Sequence, residues 1–530
     1  MGGRQLSWLG NPEPRADDTD RVRQLRDASS PWAGLRVLVL GIGVSGFAAA
    51  DALLEADCEV TVLDAATGPG QQEKAKLLDV LGARVLLGPE HLVAPVGETV
   101  PGGWGGLDLV VTSPGWRPDT ALLRAAGLAG VPVWGDVEVA WRMRPAQGAA
   151  PWLTLTGTNG KTTTVEMTAE ILRADGRRAI ACGNVGTPIV EALRHPHGFE
   201  VLAVELSSYQ LHWLSTDTEA SLRPLASALL NIAPDHLDWH GSADAYAAAK
   251  GRVYANTEVA CVYEVAAEGV SASEGLLREA DVVEGARAIG TTLGTPAPGM
   301  LGLVEDVLCD RAFIAERRSN AAELATLADL SVEGAPVPPH TVANALTAAA
   351  LARAAGVAQV AVRDGLRGFV PAPHRVATVA VQTVEGGEVR WVDDSKATNA
   401  HAAAASLASF GSVVWVAGGL AKGARFEDLV AEHGSRLRAA VLIGRDRDLL
   451  AEALARHAPE VPVVPVDLAQ TGGVLSPETL MDAVVARAAE LARPGDTVLL
   501  APACASMDQF DSYGHRGDAF AAAVRRHLAG

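Results

Sequence analysis

The run Thr156-Gly157-Thr158-Asn159-Gly160-Lys161-Thr162-Thr163-Thr164 carries the most explicit chemistry in the chain. It follows an apolar strand, Trp152–Thr156, and leads into a helical stretch from Val165 to about Ala174. Glycines let backbone N–H groups turn inward, and a helix N-terminus adds partial positive charge, so the arrangement suits a phosphate. Lys161 can then reach outer phosphates, and the Thr162 hydroxyl can hold magnesium. The loop is not a complete G-x-x-x-x-G-K-[ST] pattern, because Leu155 stands where its first glycine would be. Glu205 closes a strand Val201–Val204 and offers a hard oxygen donor suited to Mg2+. His236 sits between Asp235 and Asp238, whose carboxylates could equally cap a following helix. Lys250 ends the helical run Ala243–Lys250, where the residues alone favour a solvated helix lysine.

A second glycine pattern, Gly41-Ile42-Gly43-Val44-Ser45-Gly46, lies between the strand Arg36–Leu40 and a helix to about Ala56. Asp64 ends the next strand, about 20 residues on, as a dinucleotide fingerprint requires. Taken alone it predicts a nicotinamide-dependent oxidoreductase. The same geometry also accommodates the diphosphate of a nucleotide sugar.

These loops need strands and helices to position them, and the chain supplies both in alternation, the pattern of parallel-sheet α/β domains. A first set holds Glu59–Leu63, Asp108–Thr112 and Val131–Trp134 besides Arg36–Leu40. A linker is expected at Arg144–Gly148, and a second set runs from Trp152 to about Pro371. Between Ala266 and Val337 the periodicity is blurred and places no element. The third set has strands at Val389–Asp393, Val413–Ala417, Ala440–Ile443, Val463–Val466 and Thr497–Leu500, then a helix from about Gly514. Pro462 and Pro465 restrict the fourth of these to a sheet edge. The expected division is a polar, mobile extension over 1–30 and domains over 31–147, 148–371 and 372–530.

Charged residues at 20% and hydrophobic ones at 48% describe a globular chain. With 44 basic against 63 acidic residues, the net charge of −19 argues against nucleic-acid or acidic-membrane binding, but not against local anion sites. The run Val37–Leu54 is broken by glycines and Asp51, so no membrane insertion is expected. No signal peptide is evident. The five cysteines form no C-x-x-C pair, which points to a reducing compartment.

With the T-G-T-N-G-K-T loop the chain resembles the Mur ligases and their relative folylpolyglutamate synthase. Further matches follow in order. Gly183–Gly186 resembles G-N-[IV]-G, Glu205–Gln210 resembles E-L-S-S-F-Q, and Asn231–Asp238 resembles N-x-x-x-D-H-x-D. His340 and Asn344 fit an H-N-x-x-N helix start, and His374-Arg375 an H-R pair. Asp394–Asn399 reads D-S-K-A-T-N, and Pro502–Phe510 with Arg516-Gly517-Asp518 resembles P-A-C-A-S-F-D-Q-F…R-G-D. The last two motifs point to the D-glutamate-adding branch. Departures are Thr341 for asparagine, Pro338 for glycine, Ala501 for serine and Tyr513 for phenylalanine.

The resemblance implies three α/β domains: a Rossmann-like N-terminal domain for a UDP-linked substrate, a central P-loop-type ATPase domain, and a Rossmann-like C-terminal domain that brings the amino acid. It implies a cytoplasmic, monomeric ligase using ATP and Mg2+ to join UDP-N-acetylmuramoyl-L-alanine to D-glutamate, with closure about linkers near 148 and 371. Lys161, His236, Lys250 and Lys396 become its catalytic residues. ATP falls to Gly157, Thr158, Asn159, Gly160, Lys161, Thr162, Thr163, Asn344, Arg375 and Asp394. Magnesium falls to Thr162, Glu205, His236 and a carbamylated Lys250, which needs a depressed lysine pKa. Val44, Ser45, Asp64 and Gly115 fall to the UDP end, and Asn184, Ser207 and Gln210 to the sugar-peptide side. Thr398, Lys422, Ser506 and Tyr513 fall to the glutamate. A sibling ligase for another amino acid, the oxidoreductase, and a non-catalytic descendant are the alternatives; intact Lys161, Glu205, His236, Lys250 and Lys396 argue against the last.

Overall fold

Valine- and leucine-rich runs with both faces apolar are what parallel strands covered by helices require, and they build three sheets. The structure is a computed structural model that describes residues 19–93, 100, 102–216, 219–331, 337–466 and 476–529. The first sheet comprises β1 (Arg36–Leu40), β2 (Glu59–Asp64), β3 (Arg84–Leu87), β4 (Leu109–Thr112) and β5 (Val133–Gly135), in the order β3-β2-β1-β4-β5 and all parallel. Its reversal of direction beside β1 puts the Gly41–Gly46 loop at a switch point, the usual place for a ligand.

The second sheet holds β6 (Trp152–Thr156), β7 (Ala179–Gly183), β8 (Val201–Glu205), β9 (Ala226–Leu229), β10 (Ala260–Glu264), β11 (Arg287–Thr291), β12 (Met300–Val304), β13 (Val307–Asp310) and β14 (Ala322–Thr326). The order is β14-β13-β12-β11-β10-β9-β6-β8-β7. The segment 266–337, unplaced from sequence, supplies the helix Ala272–Arg278 and strands β11 to β14. β12, β13 and β14 pair antiparallel, with a register shift at Leu308/Cys309. Such a meander has half-exposed strands and no long apolar run, which is why its period is weak.

The third sheet comprises β15 (Ala377–Val384), β16 (Gly387–Asp393), β17 (Val413–Gly418), β18 (Leu437–Ile443), β19 (Val463–Pro465) and β20 (Thr497–Leu500), ordered β15-β16-β20-β17-β18-β19. β19, with Pro465, is the edge its prolines demanded. β15, absent from the sequence reading, is the antiparallel outer strand of a hairpin closed at Glu385-Gly386, where Gly386 has φ 92.

The chain divides into two compact units, residues 1–337 with 341–369, and residues 338–340 with 370–530. The first two sheets share the first unit because one apolar cluster spans them. It joins Ala48, Ala52, Val137 and Trp141 to Trp152, Ile189 and Leu202, with Trp141 set edge-on to Trp152 at 5.2 Å. No helix or strand spans residues 144–150 or 370–376. Of the polar extension expected over 1–30, residues 1–18 lie outside the described residues. From Thr19 the chain is folded: the helix Thr19–Arg23 leads to Val22 and Leu25, both buried in the core of the first sheet. All five cysteines are free and buried. Among the described residues no helix is long and apolar enough to cross a membrane.

Candidate active site

β6 is buried along its whole length and delivers the chain into Gly157–Gly160. The helix then starts at Lys161, not Val165, and runs to Ala174. Its first turn is made of Lys161 and threonines, so apolar periodicity misses it. Gly160, at φ 83, occupies the N-cap, a conformation that favours glycine. A Cβ there would lie 2.4 Å from Asn344 Oδ1, which shows how closely Asn344 approaches the loop. Asn231 braces the other side: its Oδ1 accepts from Asn159 N at 2.9 Å and its Nδ2 donates to Asn159 O at 3.1 Å. Lys161 Nζ donates to the carbonyls of Gly157 and Thr158, each at 2.9 Å. Thr162 and Thr163 lie in the first helical turn, half-buried.

Lys250 is the main surprise relative to sequence, because it is not a solvated helix lysine. It is 2% exposed, and its Nζ donates to Gly157 O at 2.7 Å and Thr156 Oγ1 at 3.3 Å. Burial, then the charge of Lys161, push its pKa well below the ordinary lysine value, against the opposing pull of Asp235 and Glu205. The Tyr246 ring lies 4.8 Å from Nζ, and Tyr246 Oη meets Thr158 Oγ1 at 3.0 Å, tying the Lys250 helix to the loop.

Glu205 ends β8 and is 2% exposed. Its Oε1 accepts from Asn184 Nδ2 at 2.9 Å, while Oε2 is buried with no partner. An unsatisfied buried carboxylate oxygen is costly unless a cation or donor completes it. His236 sits in the left-handed region at φ 51, with Nδ1 2.6 Å from Tyr209 Oη and Nε2 3.6 Å from Asp235 Oδ2. Burial raises the Tyr209 phenol well above its ordinary pKa, so it stays protonated. No group of three or more His, Cys, Asp or Glu that could hold a metal occurs among the described residues. Magnesium, which keeps waters and phosphate oxygens and takes one or two protein carboxylates, does not require one. Glu205 Oε2 and the Thr162 hydroxyl fit that pattern.

Around the first sheet, Asp64 Oδ2 accepts from Ile42 N at 2.7 Å and Oδ1 from Ala66 N at 2.8 Å, so its carboxylate braces the glycine loop. Gly46 is required, since a Cβ would lie 2.0 Å from Gly41 O. Val44 is exposed at the start of the helix Val44–Glu55, with Ser45 beside it. Gly115 O accepts from Trp239 Nε1 at 3.3 Å, joining the loop after β4 to the His236 segment. Ser207 and Gln210 cap the helix Ser208–His212 reciprocally, and Gln210 Nε2 donates to Asp136 Oδ2 at 2.9 Å. Burial raises the Asp136 pKa, opposed by Gln210 and Ser45.

In the second unit, Asp394 follows β16 and is buried. Burial pushes its carboxyl up to about 6, against a hydrogen bond from Ser406 and the charge of Arg375. Lys396 Nζ lies 4.1 Å from the Tyr513 ring centre, and Thr398 N donates to Lys396 O at 2.8 Å. Arg516 is fully buried and fastens this loop to the next, donating to Ser395 Oγ and Ser395 O at 2.9 Å and to Cys504 O at 3.1 Å. Gly517 leaves room for the His374–Asp393 pair, 2.6 Å apart. Lys422, exposed at φ 51, lies in the loop after β17. The Leu420–Ala505 bridge brings that loop beside the buried Ser506.

Two stretches match profiles of one family: the Mur ligase middle domain over residues 155–279, and the Mur ligase glutamate ligase domain over residues 374–504. The UDP-N-acetylmuramoylalanine--D-glutamate ligase of Streptomyces coelicolor is 56% identical over 498 residues, covering 94% of this chain and 99% of that one. The chain belongs to the Mur ligase family. The corresponding ligase of Leifsonia xyli is 51% identical over 518 residues, 96% of each chain. Among solved structures, MurF from Acinetobacter baumannii matches with a TM-score of 0.52 at 14% identity, over 97% of this chain and 100% of that one. The UDP-N-acetylmuramate-alanine ligase of Thermotoga maritima gives 0.51 at 16%, over 93% and 99%. At such identities these likenesses speak for the shared three-domain fold alone.

Membership in the Mur ligases sets aside the oxidoreductase reading of Gly41–Gly46. Sequence reasoning missed several polar groups beside the Mur ligase motifs. Lys74 Nζ donates to Ile42 O at 3.4 Å, Asp136 joins Gln210 across the first two sheets, and Tyr246 links Lys250 to Thr158. None lies in a motif, so only position in the fold reveals them.

Proposed function

We propose that this Mur ligase joins the carboxylate of UDP-N-acetylmuramoyl-L-alanine to the amino group of D-glutamate in the cytoplasm, as a monomer. A carboxylate is a poor electrophile. Bound ATP, with Mg2+ offsetting its charge, supplies the phosphoryl group that turns the acid into an acyl phosphate. The amine then attacks and phosphate leaves. The observation that carries the reading is the meeting of buried Lys250 with the Gly157–Lys161 loop, in the electrostatic reach of Glu205 and Asp235.

In this reading Gly157 to Thr163 cradle the phosphates through backbone N–H groups and Asn344 lies against the nucleotide. Lys161 leaves its carbonyl partners to neutralise the transferred group. Glu205 and Thr162 would hold the ATP-bound metal. His236 would serve at a second magnesium and near the reacting carboxyl group. Lys250, whose depressed pKa favours the neutral amine that CO2 needs, would as a carbamate offer oxygen donors to that site. Val44, Ser45, Asp64 and Gly115 hold the UDP end, and Asn184, Ser207 and Gln210 the sugar-peptide side. In the second unit Asp394 and Arg375 serve the nucleotide, while Lys396, Thr398, Lys422, Ser506 and Tyr513 serve the glutamate. The domains at 31–147, 148–371 and 372–530 thus divide UDP substrate, ATP and amino acid.

The test is phosphate release from ATP with UDP-N-acetylmuramoyl-L-alanine and a panel of amino acids, with the product weighed by mass spectrometry. D-glutamate alone should support release and add its residue mass. Preference for another amino acid would make the chain a sibling ligase.

A further inference from the structure

The carboxylate of Asp136 belongs to no motif, yet it touches both sides of the seam between the first two sheets. Asp136 opens the helix Asp136–Arg142 directly after β5. The two sides come close here, since a Cβ on Gly135 would lie 2.9 Å from Trp213 Cβ. Asp136 Oδ2 accepts from Gln210 Nε2 at 2.9 Å. The Ser45 side chain, in the helix Val44–Glu55, hydrogen-bonds the same carboxylate. Oδ1 is buried with no partner among the described residues. Gln210 is anchored from behind: its Oε1 accepts from Ser207 N at 2.9 Å and from Ser207 Oγ at 3.2 Å. A backbone N–H can only donate, so that contact fixes the carbonyl side of the Gln210 amide and turns Nε2 to Asp136.

Apolar packing already holds this seam, with Ala48, Ala52, Val137 and Trp141 against Leu202 and Leu211. A carboxylate with an unpaired buried oxygen costs stability in such a place, so its presence asks for another reason. What it supplies and apolar side chains cannot is direction, through hydrogen bonds of fixed length and angle. In the proposed function the two residues it holds serve different ends of one substrate, Ser45 the UDP end and Gln210 the sugar-peptide side. We propose that Asp136 is a positioning residue that sets the spacing between these two ends of the substrate site. It acts through Ser45 and Gln210 and not on the reacting atoms. Each end keeps its local support without it, because Ser45 lies within a helix and Gln210 stays capped on Ser207. A ligand that occupies one end therefore does not sense Asp136, and a ligand that spans both does. The inference rests on the proposed function for which ligand spans the two ends, and on the geometry alone for the link between them.

The test compares UDP alone with UDP-N-acetylmuramoyl-L-alanine on the full chain. Asp136→Ala should raise KM for the spanning substrate about tenfold, the worth of one hydrogen bond to a charged group. The Kd of UDP by calorimetry, KM for ATP and kcat should each stay within about twofold of wild type. Asp136→Asn, which retains an acceptor for Gln210 Nε2, should recover most of the loss. In a Gln210→Ala chain, Asp136→Ala should add less than about twofold, because the spacer has already lost one end. Asp136→Leu, close in shape to the carboxylate, replaces Asp136→Ala should the latter not fold. An unchanged KM for the spanning substrate overturns the proposal. So does an equal loss for UDP alone, a parallel rise in KM for ATP, no recovery in Asp136→Asn, or full additivity with Gln210→Ala. Failure of the proposed function is separate: wild-type chain would neither bind UDP nor release phosphate with any amino acid.

Discussion

Asp394 allows a prediction whose size can be worked out. Its carboxyl is raised from 3.8 to about 6 by burial, with Ser406 as its hydrogen-bond donor. A raised folded-state pKa means that the folded state binds the proton more tightly than the unfolded chain. The stability it contributes is fully present below pH 3.8 and is lost as pH rises through about 6. About two units at 1.36 kcal/mol each make the loss about 3 kcal/mol, with roughly 1.5 kcal/mol of it between pH 5 and pH 8. Asp394→Asn keeps the shape and removes the ionisation. Urea unfolding of the second unit, read by pulse proteolysis of a C-terminally tagged chain at those two pH values, measures the difference. The wild type should weaken from the lower to the higher pH by about that much more than the variant. Parallel pH dependences in the two proteins would refute the argument that burial governs this carboxyl.

The phosphate loop predicts that Lys161→Ala abolishes ATP-dependent phosphate release, and unchanged turnover would remove the loop from the chemistry. Labelled bicarbonate should give wild type a carbon-13 carbamate signal that Lys250→Ala lacks; equal spectra would leave Lys250 unmodified. Gly517→Ala would place a Cβ 2.1 Å from His374 Nδ1 and 2.8 Å from Asp393 Oδ2, so calorimetry should show a loss of about 1–3 kcal/mol, and an unchanged Tm would count against that packing. Burial lowers His212 to about 4. Its contribution is present above the ordinary 6.5 and lost as pH falls through about 4, so His212→Phe should flatten the acid limb of the first unit's unfolding curve.

The parts of the fold and site visible in sequence are those where one short segment carries the whole signal. β1 and β20 are short strands with unbroken valine and leucine runs, and the Gly157–Lys161 turn keeps strand, glycine and lysine adjacent in the chain. What could not be read depends on partners distant in sequence. Lys250 is indistinguishable from a surface lysine until Gly157, Thr156 and Tyr246 close over it. The meander β12–β14 shows no clean period because its strands are neither fully buried nor evenly alternating. Val22 and Leu25 sit in a polar stretch, and only docking on the first sheet buries them. Asp136 and Lys74 carry no local pattern at all.

The central claim is that the acid is activated by phosphoryl transfer from ATP held at Gly160-Lys161-Thr162. It is tested most directly by labelling the carboxylate of UDP-N-acetylmuramoyl-L-alanine with oxygen-18 and weighing the phosphate released in the presence of D-glutamate. The account predicts that each phosphate carries an oxygen from the substrate carboxylate. Phosphate released without label, while the amide still forms, would contradict it.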